Sequence, residues 1–182
     1  LVDLGASLVD ITIPEPKDLH AVYRDIVNYE AFNVHKELFL LHGHEYGPEA
    51  LQRMKSGQKV TDEAHQTALN LKKEITALAN RVFQTVDVIA LPTQPTTAPL
   101  LGSEMARFKG EIVRAPAIRA RFAHFASFTG FPGLTVPMGF NSEGLPAGLQ
   151  IIRPAFGESL GLRVGHAYQQ STDWHKCHPV GI

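Results

Sequence analysis

Residues 128–154 read Phe-Thr-Gly-Phe-Pro-Gly-Leu-Thr-Val-Pro-Met-Gly-Phe-Asn-Ser-Glu-Gly-Leu-Pro-Ala-Gly-Leu-Gln-Ile-Ile-Arg-Pro, and no other stretch limits the fold so tightly. Gly130, Gly133, Gly139, Gly144 and Gly148 surround two apolar runs, with Pro132, Pro137, Pro146 and Pro154 at the joints. Glycine permits close backbone approach and positive φ, whereas proline fixes φ and removes a donor. The combination predicts a rigid hairpin. Leu134, Val136, Met138 and Phe140 alternate with Thr135, Pro137 and Gly139, a strand period with one apolar face. Asn141 to Gly144 form a turn cluster, and Leu149 and Ile151 then face one way while Gln150 and Ile152 face the other. Pro137 cannot donate to a ladder, so its strand is expected at a sheet edge or with a bulge at that point. Gln150 is a polar amide among apolar neighbours and must find partners. It either ties down backbone in the core or buttresses a substrate cleft.

The first residues predict a β-branched strand over 8–13, ended by Pro14. An amphipathic helix is expected over 17–41, carried by Leu19, Val22, Ile26 and Tyr29, and a shorter one over 49–55. A second long helix over 61–84 is capped by Thr61 or Asp62 and turns Ala68, Leu71, Ile75, Leu78 and Val82 to the core. Val86 to Thr93 follow as a strand whose continuous apolar run suits burial on both faces. Residues 94–116 have no period and read as a lid or binding loop at the end of that strand. Helices are expected over 117–128 and 158–169.

Composition excludes several classes. The net charge of −1 argues against a nucleic-acid surface or a polybasic membrane anchor. No apolar run approaches the roughly 18 residues needed to span a bilayer, and no signal peptide is visible. The single cysteine, Cys177, precludes an internal disulfide and fits a reducing, cytoplasmic setting. Two clusters among the nine histidines, His42-Gly43-His44-Glu45 and His175-Lys176-Cys177-His178, invite a zinc reading. Their spacings suit exposed polar ends better than converging ligands, so neither metal nor cofactor is expected. A Ser-His-Asp hydrolase is set aside for want of a nucleophile elbow.

The 128–154 stretch resembles the C-terminal signature of the amidase signature family, in which a Gly-x-Pro turn leads to a Val-Pro-x-Gly strand and a Gly-Leu-Pro-x-Gly-Leu-Gln strand. Asp87 to Thr93 is similar to that family's Asp-apolar-Pro-Thr segment. The tail Thr172-Asp173-Trp174-His175 before Pro179 looks like the ending of stand-alone amidases rather than of tRNA-amidotransferase subunits. Departures are His65 where tyrosine is common, Gly133 where alanine is frequent and Gln170 where glutamate is frequent. The first is expected to alter packing near the sheet. The resemblance implies an α/β fold with a mixed β-sheet covered by helices.

It also implies hydrolysis of carboxylic amide C–N bonds by a serine nucleophile, a second serine and a lysine base. The chain holds no Gly-Gly-Ser-Ser-Gly run and no adjacent serines. It opens on Leu1 in what the resemblance makes a mid-protein strand. Residues 1–182 are therefore expected to be the C-terminal portion of an amidase, inactive alone, with the nucleophile and base in an N-terminal half. Candidate substrate-pocket residues are Thr93, Thr129, Phe131 and Gln150, at strand ends or at the tight turn facing where that half would dock. The expected partners are a small-molecule amide and the missing half. Each ~100 Å² of orphaned apolar surface forgoes about 2.5 kcal/mol, so a homo-oligomer or aggregate is also expected. The alternative is a non-catalytic module of the same fold that binds a ligand or partner. A metal-dependent hydrolase is the third possibility.

Overall fold

The structure, a computed structural model, describes residues 1–13, 19–103, 105–115, 118 and 121–179. The chain divides into a helical unit, Pro14–Ala77, and a second unit made of Leu1–Ile13 and Leu78–Ile182.

In the helical unit, α1 (Leu19–His42) leads through a 3₁₀ turn, Gly43–Glu45, to α2 (Pro48–Gly57). Pro48 sits in the first turn of α2, where its missing N–H costs nothing. The third helix, α3 (Asp62–Val82), belongs to this unit as far as Ala77 and starts at Thr61, whose Oγ1 accepts the Ala64 N–H at 3.1 Å; Thr61 is thus the cap. Helices α1 and α2 meet closely because Gly57 lies on the Asn28 carbonyl and the Phe32 side chain. The Tyr29 hydroxyl donates to Asp62 Oδ1 at 2.8 Å, and its ring stacks on His65 with centroids 4.0 Å apart. His65 therefore packs on an aromatic ring inside the helical unit. The expected helix starts at 17 and 117, and the stop at Pro14, lie outside the described residues.

The second unit is built on an antiparallel sheet in the order β1-β5-β4. Its strands are β1 (Ile89–Pro92), β4 (Gly133–Phe140) and β5 (Pro146–Ile152). The expected hairpin is β4–β5. Asn141 makes its turn: Oδ1 accepts from Glu143 N at 2.9 Å and Leu145 N at 2.8 Å, while Gly144 takes φ +75°. Strand β4 lies at the sheet edge and also slips register between Pro137 and Gly139, which resolves both options that proline posed. The slip turns Phe140 outward, where it packs against Trp174 of the tail.

Each face of the sheet has its own cover. Helix α5 (Glu158–Gln170) lies on the face of Leu134 and Val136, with Gly165 against both. Helix α4 (Arg121–Thr129) covers the other face, where Phe125 and Ala126 join Ile89, Phe131, Ile152 and Ala79 in the main core cluster. Burying each large side chain there contributes about 1.5–3 kcal/mol.

Three expectations are corrected. Residues 8–13 are not a strand: no neighbour among the described residues forms a ladder with them, and only Ile11 and Ile13 pack on the core while Leu8 and Val9 are exposed. Strand β1 is shorter than 86–93 and is not buried on both faces, because Ile89 alone among its four residues is buried; among the described residues it pairs only with β5. Finally, the aperiodic region holds a hairpin, β2 (Met105–Phe108) with β3 (Glu111–Arg114). Its two-residue turn, Lys109-Gly110, has φ +50° and +86°. The expected combination of helices and sheet is what the structure shows, and every ladder among the described residues is antiparallel.

Candidate active-site wall

A cleft of about 630 Å³ opens beyond the C-terminal end of β1. Its floor is Thr135, Pro137 and Met138 of β4 with Pro146, Ala147 and Gly148 of β5, and its side is the chain from Pro92 to Ala98. The first loop residue is held by its backbone, since Thr93 N donates to Gly148 O at 2.8 Å. Thr93 Oγ1 then donates to Thr135 Oγ1 across β5 at 3.3 Å. That crossing passes directly over Gly148, where a Cβ would come within 2.7 Å of Thr93 Oγ1 and 3.0 Å of Thr135 Cγ2. Farther along the loop, Asn141 Nδ2 donates to Thr97 Oγ1 at 3.3 Å, so the hairpin turn also anchors the cleft wall. Thr96 Oγ1 is buried without a hydrogen-bond partner.

The cleft is thus walled by threonine hydroxyls, the Gln94 amide and proline rings, and among the described residues no titratable side chain lines it. Such a wall can orient a neutral polar ligand and exclude water, but it offers no base at neutral pH. Two titratable groups with displaced pKa values lie elsewhere. Tyr29 is raised above its ordinary value, chiefly because its hydroxyl donates to the Asp62 carboxylate. Asp173 is held below the usual carboxylate range by Lys176, whose Nζ lies 2.6 Å from its Oδ1. Among the described residues, no three His, Cys, Asp or Glu side chains converge where a metal ion would sit. His42 Nδ1 instead meets Glu45 Oε1 at 2.8 Å.

Of the four residues expected in the pocket, the structure brings only Thr93 to the cleft. Thr129 ends α4, and its buried hydroxyl donates back to Phe125 O at 2.7 Å, which is a structural use. Phe131 is a core side chain, set edge-on against Phe83 and Phe125 at 5.4 and 6.3 Å. Gln150 is 6 % exposed and stands in register between Leu91 and Thr135, one position behind the cleft on the same face. Its Oε1 has no hydrogen-bond partner. Sequence reasoning missed Thr135, Gly148 and Asn141; the turn-forming Asn141 was the one with a legible signal. It also passed over one Gly-x-Ser-x-Gly spacing, Gly157-Glu158-Ser159-Leu160-Gly161. Ser159 lies exposed in the first turn of α5, well after β5 has ended, so no strand-to-helix elbow presents it.

The family model described as Amidase matches residues 1–162. Among curated proteins, a glutamyl-tRNA(Gln) amidotransferase subunit of Synechococcus sp. (strain JA-2-3B'a(2-13)) is 32% identical over 205 positions, covering 98% of this chain and 38% of its own length. An amidase of Pseudomonas putida is 29% identical over 180 positions, covering 98% of this chain and again 38% of its own. The chain therefore spans well under half the length of these relatives. Among solved structures, one from "An unexpected vestigial protein complex reveals the evolutionary origins of an s-triazine catabolic enzyme" overlays with a TM-score of 0.82 at 26% identity, over 93% of this chain and 37% of that one. A crystal structure of an amidase gives a TM-score of 0.79 at 23% identity, over 85% of this chain and 36% of that one, and shows the same fold.

Proposed function

The chain belongs to the amidase family, and we propose that it is the C-terminal part of an enzyme that hydrolyses carboxylic amide C–N bonds. Its share of the work is the sheet scaffold and one wall of the acyl pocket, in a cytoplasmic setting. The observation that carries this reading is the cleft itself, a shaped, partly hydroxylated groove with no titratable group in its lining. Amide hydrolysis needs an activated nucleophile and donors for the developing oxyanion. In this reading a serine pair and a lysine from a preceding segment supply the chemistry, and Thr93 and Thr135 help to position the acyl group.

Two further observations support a surface awaiting a complement. Phe156 is 96 % exposed and holds φ +63°, a backbone state that bulky residues rarely adopt without a partner to fix them. The edges β1 and β4 carry no further strand among the described residues. The stand-alone amidase, rather than an amidotransferase component, is favoured by the resemblance of the Thr172-Asp173-Trp174-His175 tail, whose Trp174 packs over Gly139 and edge-on to Phe140.

The test is complementation. Purified Leu1–Ile182 is assayed against aryl, alkyl and peptide amides, alone and joined to the upstream polypeptide. The expected result is turnover only in the joined form, with Thr93→Val changing KM more than kcat. Turnover by the chain alone overturns the split of labour. Ligand binding without turnover in the joined form assigns the chain to a non-catalytic module instead.

A further inference from the structure

Alternation along β4 sorts Leu134 and Val136 to the face under α5, and Thr135 and Pro137 to the cleft. Continued without interruption, it would send Met138 back toward α5. The register slip falls at this residue: Pro137 stands opposite Gly148 and Gly139 opposite Ala147, so Met138 is the extra residue, with no partner on β5. Val136 stays out of the cleft lining, whereas Met138 joins Thr135 and Pro137 in it. Bulges of this kind re-aim a side chain beside a site. This one is pinned at its next residue, since Gly139 takes φ +121° and its Cβ, if it had one, would stand 3.6 Å from the Trp174 ring.

The placement divides the cleft along its length. One end carries the Thr93 and Thr135 hydroxyls beside Gly148. From there the floor runs through Pro137 and Met138 on β4, beside Ala147 and Pro146 on β5, and none of these four has a charged or donor side chain. Methionine suits such a floor, because its unbranched thioether fills irregular gaps and contacts apolar groups of several shapes.

Resting on the reading of this chain as one wall of an acyl pocket, we propose that Met138 is a specificity-determining residue. The acyl group of the amide ends in an apolar, uncharged tail seated on Met138, and the size of the side chain at this position sets the length of tail accepted.

The chain joined to its upstream polypeptide is assayed with butanamide, hexanamide and octanamide. Met138→Ala should raise the octanamide-to-butanamide ratio of kcat/KM about tenfold, and Met138→Trp should lower it by a similar factor, because a methylene gained or lost in a fitted apolar pocket changes kcat/KM by about that much. A methionine that only packs the sheet would scale all three amides alike. Isotope-labelled methionine methyl groups give a second readout that needs no turnover. The Met138 resonance, identified by its loss in Met138→Leu, should move on adding hexanamide and stay in place on adding adipamate, which ends in a carboxylate. Turnover with one chain-length profile in the wild type and both size variants overturns the inference and leaves the hydrolytic reading standing. A Met138 signal that moves as expected without turnover supports the seat for an apolar tail and overturns the hydrolytic reading alone. A signal indifferent to hexanamide, or moved equally by adipamate, overturns the inference whether or not amides are hydrolysed.

Discussion

Gly148 lies directly beneath the Thr93 side chain, with room for a hydrogen but not for a methyl group: a Cβ at this position would stand 2.7 Å from Thr93 Oγ1. The same Cβ would stand 3.0 Å from Thr135 Cγ2, so the hydroxyl pair that edges the cleft exists only because residue 148 has no side chain. Gly148→Ala should push Thr93 off Thr135 and lower stability by about 1–2 kcal/mol, an overpacking effect. Urea unfolding of the variant measures the loss. In the complete enzyme, the same change should raise KM for the amide while thermal stability falls only slightly. A KM unchanged by Gly148→Ala would mean that the cleft takes no substrate.

Glycine-to-alanine changes elsewhere should follow a definite order. At Gly57 the new methyl would meet the Asn28 carbonyl, backbone that cannot swing away, as well as Phe32 Cβ at 2.8 Å. At Gly165 it would meet Leu134 Cδ2, the end of a side chain that can rotate. At Gly133 the nearest atoms are Gln150 Nε2 at 3.3 Å and Ala126 Cβ at 3.5 Å, close to ordinary contact. Gly57→Ala should therefore cost most, about 3 kcal/mol, and Gly165→Ala about 1–2 kcal/mol after its gain in helix propensity. Gly133→Ala should be nearly neutral. Melting temperatures of the three variants check the order, and a Gly133→Ala loss as large as that of Gly57→Ala would contradict the packing described.

How far these features were legible in the sequence depends on where the constraint is local. The β4–β5 hairpin was readable because Pro137, Asn141 and Gly144 each demand a particular backbone geometry within a few residues. The long helices were readable from period, to within a few residues at the ends that fall among the described residues. Residues 8–13 failed because β-branched composition reports fit to a sheet, whereas a strand also needs a neighbour that the pattern cannot supply. The β2–β3 hairpin failed because its only strong signal was Lys109-Gly110, a weaker turn pair than Asn-Gly. At the site, Thr93 was legible as a strand-end residue, but its partner Thr135 comes from 42 residues away in sequence. Phe131 and Thr129 flank a tight turn, and both are buried, Phe131 in the main core cluster and Thr129 against the Phe125 carbonyl, in contacts that depend on α4 as well as on the turn.

Asn141 does two separable jobs. Its Oδ1 accepts two backbone N–H groups to make the turn, and its Nδ2 reaches Thr97 to tether the cleft loop. Asn141→Ala removes both and should destabilise the hairpin by about 1–2 kcal/mol. Asn141→Asp keeps the acceptor and loses the donor. It should leave stability almost unchanged while speeding amide hydrogen exchange across 93–98. Equal protection of that loop in wild type and Asn141→Asp would show that the Thr97 contact holds nothing in place.

Tyr29 offers a pH test within the helical unit. Its hydroxyl donates to the Asp62 carboxylate, and that bond holds its pKa above the usual tyrosine value of about 10. A raised folded-state pKa means that the bond's contribution to stability is fully present below the unfolded value and is lost as pH rises through the folded one. Asp62→Asn removes the charge and should bring the Tyr29 pKa down, read from its ring resonances during an alkaline titration. Stability of the wild type should fall more steeply than that of the variant above pH ~10. A Tyr29 pKa that stays put in Asp62→Asn would place the cause elsewhere.

Gln150 separates the needs of this chain from those of the enzyme it is proposed to complete. Its Oε1 is buried and unpartnered, in register with Thr135 and Leu91 on the face that leads to the cleft. A buried acceptor without a donor costs about 1–3 kcal/mol relative to an apolar group of the same shape. Gln150→Met keeps the volume and removes that penalty, so the isolated chain should gain about 1 kcal/mol. Joined to an upstream half that offers a donor, the same substitution should lose stability or activity, because the acceptor it removes would then be in use. Denaturant midpoints of both proteins in both forms give the four values needed. If Gln150→Met destabilises the isolated chain, the amide already has a partner within these residues and its place beside the cleft is ordinary packing.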